Sequence, residues 1–262
     1  MRLMPLVACL GMVAVAACAP QRATPPAAPA LRVLVPRDTP PYAFRQDDRL
    51  VGLEVDFARE LATALGRPLD LVEMDFGDII PTLQGRRADL AMAGLTITPG
   101  RQVLISFSEP YLRSGLLSAM RRGDLARFKT ASSVLRTSDP IGVVAATTAD
   151  GFVREHAPNA APTVYPTARA AMDELRQRRV SFVVHDAPVV VWFVAGDEAN
   201  LGALLQLLDE EQLGWGLARD DETLRAAVNG TLARWRANGT LERIIGRWLP
   251  YWRRLEAGTP SR

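Results

Sequence analysis

The 262-residue chain is long enough for one or two domains, and its 48% hydrophobic content allows a sizeable core. A net charge of only +2 gives no electrostatic case for a nucleic-acid partner. The positive charge is almost all arginine, with Lys129 the single lysine, so a lone arginine reads first as a solvated surface charge.

Residues 1–17 read as a signal peptide: Arg2 supplies a short basic region, and "LMPLVACLGMVAVAA" an apolar run too short for a stable membrane span. Two processing routes are open. "VAAC" resembles the bacterial lipobox, in which the cysteine, here Cys18, is lipidated and becomes the mature N-terminus. The other route is an ordinary cut after "AACA". Cysteine arithmetic favours the first, because the chain has only Cys9 and Cys18 and Cys9 lies in the part to be removed. The folded body then holds no disulfide, thiol nucleophile or cysteine-bearing metal site, and no metal or cofactor is expected. Residues 18–30 read as a flexible tether, rich in Pro and Ala.

The elements follow in order. "LRVLV" (31–35) is an apolar strand, with the Pro-rich loop "PRDTPPYAF" at its carboxyl end. "LEVDFARELATALG" (53–66) has apolar residues at helical spacing and stops at Gly66. "LDLVEM" is a strand, "GDIIPTLQGRR" a short helix and "ADLAMAG" (88–94) another strand. This βαβαβ alternation predicts a mostly parallel sheet with helices on both faces. The segment 109–122 then reads as long and extended. A second βαβαβ unit starts at "PIGVVAA" (140–146) and runs through "TTADGFVREH", "APTVYP", "TARAAMDELRQRR" and "VSFVVH" to the helix "DAPVVVWFV". "QLGWGLA" (212–218) is one more strand, and two helices close the chain, the first ending at Gly239.

Two α/β units joined by extended segments predict two lobes with a cleft between them. The expected division is 31–114 with 213–252 for the first lobe and 115–212 for the second, leaving 253–262 as a tail. Ligands of open α/β sheets sit beyond the carboxyl ends of strands. The loops "PRDTPPYAF", "AGLTITPGR", "AATTAD" and "HDAP" all follow strands directly and are expected to converge. One of them raises a question: no acidic residue between Asp89 and Glu109 is available to pair locally with Arg101.

The mature chain, from about Leu31 to Trp252, resembles the periplasmic amino-acid-binding proteins of ABC transporters, of the glutamine-, histidine- and lysine/arginine/ornithine-binding type. The resemblance is carried by the order and spacing of "LVGLEVDFARELA", "MDFGDIIPTLQGRRADLAMAGLTITPGRQ", "ISFSEPY", "VVHDAP" and "LRAAVNGTLARWRANGTLERIIGRW". It implies an α/β, two-lobed periplasmic-binding-protein (type II) fold whose hinge is two crossing segments, near Glu109–Leu116 and Asp209–Gly214. It also implies a monomer that holds an amino acid and hands it to an ABC permease, anchored to the membrane only through its lipid. The resemblance gives Arg101 a partner, the ligand's α-carboxylate, which a planar guanidinium grips bidentately. Thr96 would add a hydroxyl and an N–H. Ala93 and Gly94 line the approach, and the Gly94 carbonyl would accept from the α-ammonium. Asp186 would be the ammonium's anionic partner from the second lobe, and Thr147 and Thr148 would donate backbone N–H groups from a helix N-terminus. Asp186, Thr147 and Thr148 also read as simple helix caps.

The sequence departs from that family at the side-chain subsite. Pro36 and Thr39 stand where relatives carry an acidic and an aromatic residue, Leu53 at the second aromatic wall, Val144 where glutamine-type proteins have lysine, and Ala146 at a glycine. Asp38, His185 and Tyr42 are the polar substitutes, Tyr42 and Phe44 being otherwise core residues. A small or aliphatic amino acid is therefore expected in preference to arginine, lysine or glutamate. Two other readings remain open. A dehydratase of the cyclohexadienyl or arogenate type shares the fold and needs a general acid in the cleft; here Asp150 and His185 are the extra candidates, and Ala149 stands where that family places its glutamate. A sensing lipoprotein outside transport is the other; a sensor domain usually precedes a membrane helix and signalling domain, and the sequence to Arg262 reads without either.

Overall fold

The computed structural model of the protein describes residues 28–252. The signal peptide, Cys18, most of the tether and the 253–262 tail lie outside the described residues. In chain order the elements are β1 (Leu31–Pro36), β2 (Phe44–Gln46), β3 (Arg49–Val51), α1 (Leu53–Ala64), β4 (Leu69–Met74), α2 (Phe76–Gln84), β5 (Leu90–Ala91), α3 (Pro99–Leu104), β6 (Ser106–Phe107), β7 (Leu112–Arg121), α4 (Ala131–Leu135), β8 (Ile141–Val144), α5 (Thr148–His156), β9 (Pro162–Tyr165), α6 (Ala168–Arg176), β10 (Phe182–Asp186), α7 (Ala187–Ala195), β11 (Leu201–Leu213), β12 (Gly216–Leu217), α8 (Glu222–Asn238) and α9 (Thr240–Trp248).

The strands form two five-stranded sheets, ordered β4-β1-β5-β12-β6 and β11-β7-β10-β8-β9. In each, three adjacent strands at one edge run parallel: β1 pairs with β4 and β5, and β8 with β9 and β10. Antiparallel strands complete both sheets, β12 on β5 and β6 in one, β7 on β10 and β11 in the other. The mixed α/β, two-lobed architecture expected from the alternation is thus present. β7 and β11 pair antiparallel from Leu112↔Leu213 to Leu116↔Asp209 and are the strands that lead from one sheet into the other. The Ile97 N–H donates to the Gln212 carbonyl at 2.8 Å and the Gly214 N–H to the Leu95 carbonyl at 3.0 Å, which ties this crossing to the first sheet.

β2, β3, α3, β6, α4 and most of β11 escaped the sequence reading. The β2–β3 hairpin turns on Asp47 and Asp48, both at positive φ (48° and 59°), with no glycine to signal the turn. The thirteen-residue β11 carries "ALLQLL", which shows no alternation because the register with β7 shifts between Leu204 and Asp209. That shift leaves Leu205 71% exposed.

The first lobe packs around a knot of aromatic rings. Phe57 of α1 lies 5.3–6.0 Å, centroid to centroid, from Tyr111, Trp215 and Trp235, so strand, helix and crossing segments share one core. Into this core α1 inserts a carboxylate, Glu54, which is fully buried. It accepts hydrogen bonds from the Gly94 N–H at 2.7 Å, the Tyr111 hydroxyl at 2.6 Å and the Trp215 Nε1–H at 3.0 Å. Burial pushes the Glu54 carboxyl up to about 7, and the Tyr111, Gly94 and Trp215 donors oppose that rise.

Candidate ligand-binding cleft

The loops that follow β1, β5, β8 and β10 meet between the sheets, as their positions at strand ends require. They close on a cavity of about 30 Å³, lined by Arg37, Thr39, Tyr42, Asp75, Phe76, Ala93, Gly94, Thr96, Arg101, Val144, Thr147, Thr148, Pro166, Thr167, His185 and Asp186. That volume holds a few waters at most, so the lobes are drawn together.

Local sequence sets each wall. The segment 93–101 leaves β5, turns at Gly94 (φ 63°) and starts α3, where the Thr98 hydroxyl caps the Arg101 N–H at 3.2 Å. Gly94 has to be glycine here: a Cβ would lie 2.4 Å from the Tyr42 ring. Arg101 therefore projects from the first turn of α3. Its guanidinium donates to the Thr96 carbonyl at 3.1 Å and, across the lobes, to the Ala146 carbonyl at 3.3 Å. It also lies over the Phe76 ring, 5.5 Å from the centroid. Burial lowers the Arg101 pKa, and the negative charges of Asp186 and Glu211 oppose that.

The facing wall comes from the second sheet. Thr147 caps α5, its hydroxyl accepting from the Asp150 N–H at 3.4 Å and donating to the Val144 carbonyl at 2.7 Å. Ala146, at the position where a glycine was expected, holds φ 62°, a left-handed conformation that costs a side-chain-bearing residue about 1 kcal/mol or more. Asp186 ends β10 and is the residue before α7, yet its side chain makes no cap bond. Instead it accepts from the Tyr42 hydroxyl at 3.2 Å, a second contact across the lobes. The Nδ1 of His185 accepts from the Asp186 N–H at 2.7 Å, which leaves Nε2 to carry the ring proton.

Ten of the twelve expected ligand-binding residues thus line one cavity: Thr39, Ala93, Gly94, Thr96, Arg101, Val144, Thr147, Thr148, His185 and Asp186. Two do not, and their placement is corrected. Leu53 is wholly buried in the core of the first lobe, because the entry to α1 turns it inward. Asp38 lies at the cleft mouth and spends both carboxylate oxygens on Arg169 of α6, at 2.9 and 3.0 Å. Asp150, weighed as a general acid, pairs with Arg154 at 2.8 Å and is not among the lining residues. Tyr42 belongs both to the buried core and to the cavity wall.

Sequence reasoning passed over Arg37, Asp75, Phe76, Pro166 and Thr167 on the walls, and Glu211 behind them. Glu211 is 7% exposed and sits on β11 in the crossing, with the Thr148 and Thr96 hydroxyls facing its carboxylate. No sequence signal marks it: "DEEQL" reads as a polar run, and only the pairing of β11 with β7 turns Glu211 to the buried face with Leu213. Among the described residues no helix is long and apolar enough to cross a membrane, and no three His, Cys, Asp or Glu gather as metal ligands.

Several known proteins are similar to this chain. The L-cystine-binding protein of Escherichia coli K12 is 26% identical over 210 residues, covering 80% of this chain and 78% of that protein. The histidine-binding periplasmic protein of Salmonella typhimurium is 27% identical over 214 residues, covering 77% and 80%. Among solved structures, an ancestral arginine-binding protein bound to glutamine superposes with a TM-score of 0.78 at 28% identity, over 84% of this chain and 97% of that one. An ancestral amino acid-binding protein, a precursor of cyclohexadienyl dehydratase, gives 0.78 at 27% identity over 84% and 95%. The match to the bacterial extracellular solute-binding proteins, family 3, spans residues 31–251, and the chain belongs to that family.

Proposed function

We propose that the protein captures a free α-amino acid between its lobes and delivers it to an ABC permease. The observation that carries this reading is the opposition of one half-buried cation and one buried anion across the cavity: Arg101 from the first sheet's side and Asp186 from the second. A zwitterion matches that pair. Its carboxylate takes Arg101, the Thr96 hydroxyl and the N–H groups at the start of α5, while its ammonium takes Asp186 and the Gly94 carbonyl. Lobe division at 31–114 with 213–252 against 115–212 belongs to the same proposal and is supported by sheet membership.

For the ligand's side chain the reading favours a small or aliphatic group. Val144 and Pro166 offer an apolar wall, and the acids nearby are already paired, Asp75 on the wall with Arg37 at 3.1 Å and Asp38 beside it with Arg169 at 2.9 and 3.0 Å. A dehydratase role finds no support at Asp150, which is paired along its own helix. The mature protein is proposed to be a monomer held at the membrane by a lipid on Cys18, and mass spectrometry of membrane-purified protein would read an acylated N-terminal cysteine.

Isothermal titration against the twenty L-amino acids tests the main reading. Saturable binding of a small or aliphatic member, tighter than that of arginine, lysine or glutamate, is expected. Tighter binding of arginine or lysine than of leucine, valine or alanine would overturn the side-chain preference, and no binding by any of the twenty would overturn the amino-acid reading itself.

A further inference from the structure

Glu211 has no part in the grip just described. Its Oε2 is sealed from solvent without a hydrogen-bond partner, and the residue lies on β11 within the crossing. The groups around it come from both sheets and their loops: Tyr42 after β1, Thr96 ahead of α3, Arg101 on α3, Ser114 directly opposite on β7, Thr148 at the start of α5, Asp186 at the end of β10, and Asp209 two residues earlier on β11. Thr96, Arg101 and Thr148 are also the residues assigned to the ligand's carboxylate. Glu211 thus stands directly behind the place where the proposed function puts a negative charge.

Charge arithmetic makes this arrangement consequential. Arg101 and Asp186 together balance a zwitterion, one charge against one. An ionised Glu211 would add an uncompensated anion to a buried site and repel the incoming carboxylate at short range in a poorly screened interior. Its ionised form also draws both threonine hydroxyl protons toward itself, leaving only oxygen lone pairs to meet the ligand's oxygens. A neutral Glu211 removes the excess charge. It also donates its own proton to one hydroxyl, freeing that hydroxyl to donate into the cleft.

We propose, resting on the amino-acid reading above, that Glu211 takes up a proton from water as the ligand's carboxylate enters, so that capture is proton-coupled and Glu211 is a positioning residue for the two threonine hydroxyls. The Glu211 carboxyl is already close to that state. Burial, with the charges of Asp186 and Asp209 adding to it, pushes the Glu211 carboxyl up to about 7, while the Thr148 and Thr96 hydroxyls hold it back. A ligand carboxylate moves it further in the same direction. Linkage then requires that affinity be highest below about pH 7 and fall as pH rises, by up to ~10-fold per pH unit.

The test is calorimetric titration of the full mature protein with L-alanine, L-leucine and the other natural amino acids at pH 5.5, 7.0 and 8.0, each in two buffers of different ionisation enthalpy. Wild-type protein is expected to bind roughly 10-fold more weakly at pH 8.0 than at pH 5.5 and to take up between about half a proton and one proton per ligand at pH 8.0. Glu211→Gln is expected to bring the two affinities within about twofold of each other and to abolish the uptake. A Glu211→Gln protein that keeps the wild-type pH profile would place the effect on another group and overturn the proposal. Binding by the wild type without proton uptake would overturn it alone. If none of the twenty binds at any pH, the amino-acid reading falls and this proposal with it.

Discussion

Two buried carboxylates divide this molecule between them. Glu54 sits in the core of the first lobe and Glu211 at the crossing between lobes, both pushed up to about 7 by burial. Their surroundings differ. Three donors converge on Glu54, from the loop after β5, the segment entering β7 and the strand region before β12, so its carboxyl is a fixed rivet holding Gly94 in place. Glu211 has one oxygen with no partner, and the groups near it come from the loops of both sheets. A satisfied buried acid specifies structure, while an unsatisfied one is left to respond to what arrives.

That contrast can be broken at four places. The largest effect is expected from Arg101→Ala, which removes the half-buried cation whose charge offsets those of Asp186 and Glu211. Losing one partner of a buried charged contact costs roughly 3–5 kcal/mol, or about two to four decades in Kd. Calorimetry reads the affinity and a melting curve reads the fold. A variant that binds within threefold of wild type would remove Arg101 from the site, and a large fall in Tm would show that the hinge region, too, is built for stability.

Glu54→Gln comes next and reverses the readout. The amide presents a single accepting oxygen where three donors converge, and each donor left unpaired costs about 1–3 kcal/mol. The denaturant midpoint is expected to drop with the m-value unchanged. The pH dependence has a definite sign. The folded Glu54 carboxyl keeps its proton to about 7, whereas the unfolded one releases it near 4.5, so its contribution to stability falls as pH rises across that window and is constant above it. Glu54→Gln flattens that slope, and a variant with the wild-type slope would place the buried proton elsewhere.

Thr148→Val sharpens the comparison at the hinge. The hydroxyl facing Glu211 holds that carboxyl's pKa down, so its loss, worth about 0.5–1.5 kcal/mol, should move the pH midpoint of ligand binding upward by roughly half to one unit. An unmoved midpoint would detach Thr148 from Glu211. The smallest effect belongs to Arg169→Ala. Its pair with Asp38 bridges the mouth of the closed cleft, but both side chains are substantially exposed, at 49% and 35%. Such pairs contribute about 0–1 kcal/mol, and the expected result is a slight, salt-sensitive loosening of closure, read by small-angle scattering of the liganded protein.

The sheet-forming alternation, the longer helices and the four loops at strand ends were legible in the sequence, because hydrophobic period and strand direction are local properties, whereas the short α3 and α4 carry too few turns to show a period. The hairpin turning on Asp47 and Asp48 was not, since two aspartates in a left-handed conformation look like any polar pair. The four loops were legible by position, while the residues within them were named through the family resemblance; ten of those line the cavity, and Asp38 and Leu53 do not. A loop's position shows where it ends up and leaves open which side chain turns inward. Nothing near Asp38 in sequence announces Arg169, 131 positions later.

By itself the sequence determined that this chain would fold as two α/β units, that the loops at their strand ends would carry the polar residues, and that Arg101 had no acid close by in sequence. Those follow from periodicity, turn chemistry and charge spacing. Tertiary structure alone decided which charges share a space. Only the closing of one sheet's loops on the other's sets Tyr42 against Asp186, separated by 144 positions, and Arg101 against the Ala146 carbonyl. Only the pairing of β7 with β11 carries Glu211 behind Thr96 and Thr148. The state of a buried carboxyl depends on the dielectric and the partners around it, and contacts distant along the chain supply both.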